Sequence, residues 1–465
     1  MAFEWVYWLA GFLLLSIAVT YFFKKVFGWQ TYFIISLVRS KRFLHWLDRL
    51  AKHKKFWNFI ADLGLIIGFG LIAVDYRFAK PTNNLKKRIL ILVTGLAGLT
   101  IFNALLISSL FGANPLTKDV AWVFVLAADL FGFAGLALSA LLFQGIDIII
   151  KFFLAKQPCP GVAPIIPGVR IPGTDITPPL IEVIIAFLII LIVHEASHGI
   201  LLRKAKLKVK SLGLLLLGFI PIGAFAEPDE KQFLKAKPLD QLRVLAVGSM
   251  ANLITCFIVL LLFVAVVVPT VTPFYSSIES QRVKGVVIES VQEKTVYCGT
   301  EYPAPAYGLL APGMLVKKVN GKDINSSAGL AVAKADEAID KLVFEVDSNG
   351  LIKEIEVPLN ELRLVGITVK DILIEGFQPP LTYYAIQFIV RLFAWTWLLN
   401  LMVAIVNFLP SIPFDGGMLA KIMLPDYLGF WKTSRKNKEK AISKFFLYLV
   451  IALLLINALP LFTAL

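Results

Sequence analysis

The sequence predicts a polytopic α-helical membrane protein with about eight transmembrane helices and an inserted extracytosolic α+β domain. Hydrophobic residues make up 58% of the 465 positions and charged residues 17%, with a mean hydropathy of +0.76. Soluble domains run near half apolar and about a quarter charged. The apolar residues are gathered into long stretches, and one segment of ordinary composition interrupts them. Soluble enzymes, disordered chains, collagen-like chains and disulfide scaffolds are therefore excluded.

Eight stretches are long and apolar enough to cross a hydrocarbon core, which takes about 20 helical residues. They lie at 4–23, 58–78, 89–112, 121–150, 178–202, 244–268, 382–409 and 442–463. The first has neither the basic flank nor the cleavage site of a signal peptide, so it is predicted to be a span.

Basic loops set the predicted orientation, because Lys and Arg collect on the cytoplasmic side of membranes. Segments 24–57, 203–210 and 432–440 are strongly basic. With alternating spans all three fall on the cytoplasmic side, which places the N-terminus outside. The basic loop 77–88 disagrees, so the topology of the first four spans stays open. Residues 31–57 are expected to form an amphipathic helix in the membrane interface.

The formal net charge of +14 is explained by the same loops. Cytoplasmic loops beside anionic lipid commonly carry such an excess. No basic run carries a nucleic-acid-binding motif. The expected partners are therefore the lipid bilayer and a protein substrate, and nucleic acid is not expected.

The segment between the sixth and seventh stretches has the pattern of a small α+β domain. Four short alternating runs have the spacing of strands, at 285–290, 314–321, 342–350 and 352–357. The pairs Asn320-Gly321 and Asn349-Gly350 are hairpin-turn signals. Residues 328–341 have helical spacing.

The fifth stretch carries the clearest chemical signal. His194, Glu195 and His198 form an H-E-x-x-H motif. Positions i and i+4 of a helix share one face, so both histidines can hold one metal ion, typically Zn²⁺. Glu195 lies beside them and can take a proton from a water molecule that the metal activates. The chain has only four histidines, and such residues are costly in lipid, so a metal site is predicted over a structural polar cluster.

Catalytic zinc usually has three protein ligands and one open position. The third ligand is sought among the Asp, Glu and Cys side chains in or beside the spans, namely Asp62, Asp75, Asp129, Asp147, Glu182, Glu227, Cys256 and Asp415. The expected depth in the membrane favours Asp415, because this residue follows the seventh stretch on the same predicted side as the histidines. The prolines and paired glycines around it break the helix and let the backbone turn into a protein-lined cavity.

Together these motifs resemble the site-2 protease family of intramembrane zinc metalloproteases, in particular its archaeal and related prokaryotic branch. The resemblance rests on H-E-x-x-H-G at 194–199 and on N-x-x-P-x-x-P-x-D-G at 407–416. The runs 223–230 and 243–252 add to it. It covers about residues 160–420 and leaves the first four spans unexplained.

The resemblance implies a role for each matching residue. The zinc ligands would be His194, His198 and Asp415, and the general base would be Glu195. The family keeps polar side chains at Asn252 and Asn407, where they would bind substrate backbone or stabilise an oxyanion. An interhelical hydrogen bond, worth about 1 kcal/mol, is the structural alternative for both.

The soluble domain is similar to a PDZ domain over the run from Ala306 to Ile324, although Met314 stands where Asp is usual. The domain would either bind peptide termini or act as a steric filter, and both interpretations stay open. Cys159 and Cys298 both map to the extracytosolic side, where a disulfide between them is possible. Cys256 lies inside a span and is expected to be a small buried hydrophobe.

The predicted organisation has four parts. Residues 1–155 form an N-terminal membrane region, 156–269 the first part of the catalytic core, 270–378 the PDZ-like domain, and 379–465 the second part of the core. The predicted activity is zinc-dependent endopeptidase cleavage of transmembrane segments in membrane-anchored proteins, in the cell membrane, with the active site toward the cytoplasm. The alternatives are another class of H-E-x-x-H membrane metallopeptidase with a Glu as third ligand, and a non-enzymatic PDZ-bearing scaffold.

Overall fold

The computed structural model describes residues 4–41, 44–111, 121–172, 174, 176–218, 220–298, 300–327, 329–330, 339–348 and 350–463. The first elements are helix α1 (Glu4–Phe27), strands β1 (Gln30–Tyr32) and β2 (Ile35–Ser40), and helix α2 (Leu44–Leu50). Three long helices follow, α3 (Lys54–Val74), α4 (Leu85–Phe111) and α5 (Ala121–Phe153).

The H-E-x-x-H motif lies on α6 (Leu180–Lys204), which leads into the hairpin β3 (Val209–Leu217) and β4 (Ile220–Pro228). The short helix α7 (Glu230–Lys235) precedes α8 (Pro238–Leu262) and α9 (Val268–Arg282), which are joined by a π-helical turn. After the soluble domain come α10 (Leu381–Asn407), α11 (Asp415–Met423), α12 (Arg435–Ala458) and α13 (Pro460–Thr463).

Seven helices within the described residues are long and apolar enough to cross a membrane. They coincide with the predicted stretches from 58–78 to 442–463, and they confirm a polytopic helical membrane protein. The remaining predicted stretch, 4–23, falls in α1. Its N-terminal side chains lie outside the described part of the chain, so that its crossing of the membrane stays a prediction.

Proline and charge explain where two helices of the C-terminal half, α6 and α10, begin and end. Helix α6 starts directly after Pro179 and ends with Arg203 and Lys204 in its last turn. A proline before the first turn costs no hydrogen bond, and basic side chains at the C-terminus complement the helix dipole. Helix α10 likewise starts after Pro380 and ends at Asn407, shortly before Pro410.

The expectation of an amphipathic helix over 31–57 is wrong for its first part. Residues 30–40 form the hairpin β1–β2, and only Leu44–Leu50 is a separate short helix before α3. Strand β2 pairs antiparallel with β3, from Ile35 opposite Leu217 to Ser40 opposite Leu212. The helical spacing is a property of this segment alone. Strand β2 forms because the edge of β3, far along the chain, is available to pair with it.

The apolar segment 211–226 lies in a strand hairpin that is formed by β3 and β4. Strands β3 and β4 are antiparallel, and the sheet order is β1-β2-β3-β4. The buried side chain of Ala226 and the side chain of Leu212 face Gly199 on α6. The sheet therefore lies against the helix that carries the histidines.

The soluble domain contains all four predicted strands. They lie in β5 (Val283–Val291), β8 (Leu315–Val319), β10 (Lys341–Ser348) and β11 (Leu351–Pro358), and the other strands are β6 (Lys294–Tyr297), β7 (Thr300–Pro303), β9 (Lys322–Asp323) and β12 (Ile367–Leu373). The main antiparallel sheet has the order β11-β10-β8-β5-β12, with β9 paired to β8. Most of the predicted helix 328–341, and Asn349 of the second turn signal, lie outside the described residues.

A disulfide joins Cys159 to Cys298, as hypothesised. Cys159 lies in the loop before α6, and Cys298 lies between β6 and β7 of the soluble domain. The bond therefore ties the soluble domain to the membrane part at a point in addition to its two chain connections. Cys256 is a buried free thiol, in agreement with its expected role as a small hydrophobe.

One buried cluster joins the N-terminal helices to α6 and the helices that follow it. It contains Phe69 of α3, Phe133 of α5, Leu201 of α6, Leu242 of α8 and Phe408 after α10. The N-terminal helices thus pack directly on the elements that hold the candidate metal centre.

Candidate metal centre

The predicted metal-binding residues meet between α6, α8 and the start of α11. The Oδ2 atom of Asp415 is 3.2 Å from Nε2 of His194 and 3.3 Å from Nε2 of His198. Ligand atoms of the two histidines and Glu195 lie within 4.8 Å of one another. The structure therefore brings all four predicted residues to one place, although Asp415 is far from the others in sequence.

These separations match those between the ligands of a tetrahedral zinc ion. Zinc bonds to nitrogen and oxygen of roughly 2.0–2.2 Å, at tetrahedral angles, place neighbouring ligand atoms about 3.3 Å apart or slightly more. The Oδ2 atom of Asp415 is buried, yet it makes no hydrogen bond of acceptable geometry to either ring. A buried acceptor without a donor is unfavourable. A cation between the three atoms removes that cost, so the residues present fit Zn²⁺.

The tautomer of His198 is set from its far side. Its Nδ1 atom is 2.6 Å from the backbone carbonyl oxygen of Val244 in α8. A carbonyl oxygen only accepts, so Nδ1 carries the proton and donates it, and Nε2 keeps its lone pair on the side of Asp415. Metal-binding histidines usually make this kind of second contact.

Asn252 lies at the Nδ1 side of His194, as the Val244 carbonyl lies at the Nδ1 side of His198. The Asn252 side-chain Nδ2 atom lies 3.1 Å from His194 Nδ1, and the Asn252 Oδ1 atom makes no hydrogen bond. Rotating the amide by half a turn brings Oδ1 to the Nδ1–H group, which leaves Nε2 free for a metal. Asn252 is completely buried and is not among the residues that line the cavity. Its placement favours an interhelical hydrogen bond that orients His194 over a contact with substrate.

Glu195 is held by the sheet. Its Oε2 atom accepts the backbone N–H of Ala226 in β4 at 2.9 Å. A carboxylate that is fixed through one oxygen can still take a proton. The sequence offered no signal for this contact, because it depends on how β4 packs against α6.

A tight turn presents Asp415. The Ser411 N–H donates to the Leu409 carbonyl at 2.7 Å, the Phe414 N–H donates to the Ser411 carbonyl at 3.0 Å, and the Ile412–Pro413 peptide bond is cis. Asp415 is the first residue of α11. The predicted break in the helix is thus present, and it turns the carboxylate back toward α6.

Gly248 of α8 is the point where that helix touches both imidazoles. A Cβ atom at this position would lie 2.4 Å from His198 Nε2 and 2.7 Å from His194 Nε2. Any side chain here would occupy the space between the metal-binding atoms. The sequence contained Gly248 within a family-like run but gave no reason for it.

A cavity of about 330 Å³ opens in front of the centre. Both histidines, Glu195 and Asp415 line it, together with Asn407. Apolar side chains line much of the remainder, among them Ile190, Leu191, Val403 and Pro413. Of the two predicted asparagines, Asn407 is therefore the one placed to meet a substrate.

The other acidic candidates are engaged elsewhere. The partners are Arg243 for Asp62, Arg88 for Asp75, Thr100 and Asn103 for Asp129, Lys151 for Asp147 and Ser211 for Glu227. Glu182 is buried near the opposite end of α6, and Cys256 is a free thiol. Among the candidates, Asp415 is the one that lies against the histidines.

Fold and site together define a polytopic membrane protein whose H-E-x-x-H helix carries a group of side chains that could hold a metal ion. Residues 182–457 match the family model described as peptidase family M50, which covers more than half of the chain, so the protein belongs to this family, the site-2 protease family. A protein of Methanocaldococcus jannaschii, described as uncharacterized, is 29% identical over 239 residues, which are 51% of this chain and 56% of that protein. The chain thus matches little more than half the length of this relative.

The two asparagines are expected to respond differently to substitution. We expect Asn252→Leu to lower zinc affinity by about 10–100-fold, because His194 loses its orienting partner. Asn407→Leu should leave zinc affinity unchanged and lower kcat/KM. Competition with a zinc chelator and a cleavage assay measure the two effects. Asn400→Leu, elsewhere on α10, is the matched control. Equal loss of zinc from Asn252→Leu and Asn407→Leu would contradict the assignment.

Proposed function

We propose that this protein is a zinc-dependent intramembrane endopeptidase that cleaves transmembrane segments of membrane-anchored proteins, as in regulated intramembrane proteolysis. The observation that carries the proposal is the meeting of Asp415 Oδ2 with the two histidine Nε2 atoms at 3.2 and 3.3 Å. The histidines lie on a helix long and apolar enough to span a membrane. Membership of family M50 supports a metallopeptidase activity.

The chemistry follows from the positions of the side chains. A zinc ion held by His194, His198 and Asp415 would polarise a peptide carbonyl and lower the pKa of a water molecule. Glu195 would take a proton from a water molecule in the cavity as the water oxygen attacks the carbonyl carbon. The protonated carboxyl group then gives the proton to the amide nitrogen that leaves, which restores the carboxylate. Asn407 in the cavity wall can donate a hydrogen bond to substrate backbone.

A helical substrate must unwind before this attack, because its carbonyls are engaged in i→i−4 hydrogen bonds. Strand β4 is the outer strand of the sheet β1-β2-β3-β4 and carries the N–H that holds Glu195. The outer edge of a sheet offers backbone donors and acceptors to an extended chain. An unwound segment along β4 would therefore pass the general base.

The proposed orientation places the active site toward the cytoplasm. The histidine end of α6 leads into Arg203 and Lys204 and then into the basic segment 206–210, which supports a cytoplasmic location. The Cys159–Cys298 disulfide supports an oxidising, extracytosolic location for the soluble domain. That domain, which we propose to be PDZ-like, would bind or exclude the extracytosolic parts of substrates. Besides the substrate, lipid is the proposed partner, and nucleic acid is not.

Metal content tests the proposal directly. Purified wild-type protein is expected to hold about one zinc ion per chain, and His194→Ala to lose it, because two ligands bind zinc far more weakly than three. His53→Ala, a histidine outside the site, is the matched control. Wild-type protein without zinc, or His194→Ala with undiminished zinc, would refute the metal centre.

A further inference from the structure

Helix α3 lies outside the range that matches the family, 182–457, yet it packs against α8, the helix that touches both imidazoles of the metal centre. We infer that Asp62 on α3 is a positioning residue for the metal centre and acts through Arg243 of α8. The inference rests on the proposed function, because it assigns a further residue to the same site. Three contacts of α3 carry it.

The first contact is a buried ion pair with two parallel hydrogen bonds. Arg243 Nε donates to Asp62 Oδ1 at 2.7 Å, and Arg243 Nη2 donates to Asp62 Oδ2 at 2.8 Å. Arg77 Nε adds a bond to Oδ2 at 3.0 Å. The Asp62 and Arg243 residues are only 9% and 8% exposed. A paired, two-point contact of this kind fixes direction as well as distance, and breaking one side leaves a buried charge.

Arg243 is the residue directly before Val244, whose carbonyl oxygen fixes His198. The distance from that oxygen to His198 Nδ1 is 2.6 Å. Hydrogen bonds weaken steeply with distance and angle, so a small slide or rotation of α8 would disturb this bond. Because the Arg243 side chain is held by Asp62, the position of the Val244 oxygen depends on α3.

The second contact is the close packing of α3 against α8 at Gly64. A Cβ atom at Gly64 of α3 would lie 2.8 Å from Met250 Cβ and 3.0 Å from the Ala246 carbonyl oxygen. On another side of the same stretch of α8, Gly248 touches both imidazoles. Helix α8 is therefore confined between α3 and the metal-binding residues, with no room for a side chain at Gly64 or at Gly248.

The third contact reaches the turn that carries Asp415. A Cβ atom at Gly68 of α3 would lie 2.3 Å from the Phe408 ring, and Phe408 is completely buried. The Phe408 and Leu409 carbonyls lie in turn against Gly416. One helix outside the matched range thus supports both the histidine side and the aspartate side of the centre.

A double variant separates positioning from simple stabilisation. Replacing a buried ion pair by apolar residues of similar size commonly preserves stability. Asp62→Leu combined with Arg243→Met removes both buried partners and leaves only the partly exposed Arg77 without its carboxylate. This variant is therefore expected to fold, but to bind zinc about 10–100-fold more weakly than wild type. The absorption spectrum of the Co²⁺-substituted protein should also change, since the His198 ring loses its fixed orientation. Folding alone with unchanged zinc affinity and spectrum would overturn the inference.

The matched control removes another buried polar pair of the N-terminal helices. Asp129 accepts a hydrogen bond from Asn103 of α4 at 2.8 Å. Asp129→Leu with Asn103→Leu should leave zinc affinity unchanged. If wild-type protein binds no zinc, the proposed function fails, whereas if wild type binds zinc and the Asp62 double variant binds it equally well, only the inference fails.

A milder variant covers the case in which the double variant does not fold. Arg243→Lys keeps a cation opposite Asp62 but cannot make two parallel hydrogen bonds. It is expected to fold and to bind zinc severalfold more weakly, with the cobalt spectrum shifted in the same direction. Wild-type zinc affinity and spectrum in Arg243→Lys would overturn the inference.

Discussion

Glu195→Gln is expected to lower kcat by roughly 10²–10⁴-fold while zinc content stays at the wild-type level. Gln keeps the shape of the side chain, and its Oε1 can still accept the Ala226 N–H that holds Glu195 at 2.9 Å. It cannot take a proton from water, since the amide oxygen is a very weak base. Cleavage of a membrane-anchored model substrate in detergent or vesicles, together with metal analysis, measures both quantities.

The control for this prediction is a carboxylate on the same sheet. Glu227 follows Ala226 and bonds Ser211 at 2.8 Å, and it is not among the residues that line the cavity. Glu227→Gln should retain most of the wild-type kcat. Near-normal cleavage by Glu195→Gln would show that another group is the base. Loss of zinc from Glu195→Gln would instead indicate that Glu195 is itself a ligand.

Asp415→Ala is expected to lose both zinc and cleavage. The carboxylate provides the third ligand atom, and its loss should weaken zinc binding by more than the roughly 10–100-fold that follows from loss of an outer partner. Metal analysis after equilibrium dialysis against a buffered zinc concentration measures the loss. The same preparation, assayed for cleavage with saturating zinc, shows whether activity returns.

Asp426 provides the matched control for Asp415. It follows α11 and pairs with Lys80 and Arg435 at 2.5 Å each. Asp426→Ala should keep zinc and activity, even if it lowers thermal stability. If Asp415→Ala retained zinc, a different third ligand would be required, and the alternative class with a Glu ligand would become the better interpretation.

The sequence predicted much of the site because its signals are local. The i, i+4 spacing of His194 and His198 requires only that the segment be helical. The turn with Asp415 could be predicted because prolines and glycines interrupt an apolar helix. The separate roles of Asn252 and Asn407 could not be predicted, since both match the family pattern equally well. Their difference, one behind a ring and one in a cavity wall, depends on the rotation of α8 and α10.

The N-terminal region shows the opposite case. Asp62 was only one of eight candidates for the third ligand, because one acidic side chain in an apolar span does not reveal its partner. Residues 31–57 have helical spacing, and yet the hairpin β1–β2 forms, because β3 offers an edge that β2 can pair with. Local patterns carry no information about such distant partners.

By itself the sequence determined that the protein is a membrane-embedded helical protein with a metal-binding motif, since apolar run length and residue spacing are properties of short segments. Only the tertiary structure decided which groups meet. It placed Asp415 between two histidines, aligned Glu195 with β4, and set α3 against the back of α8. These contacts join residues far apart in the chain, and they depend on the packing of whole helices and strands, which no single segment encodes.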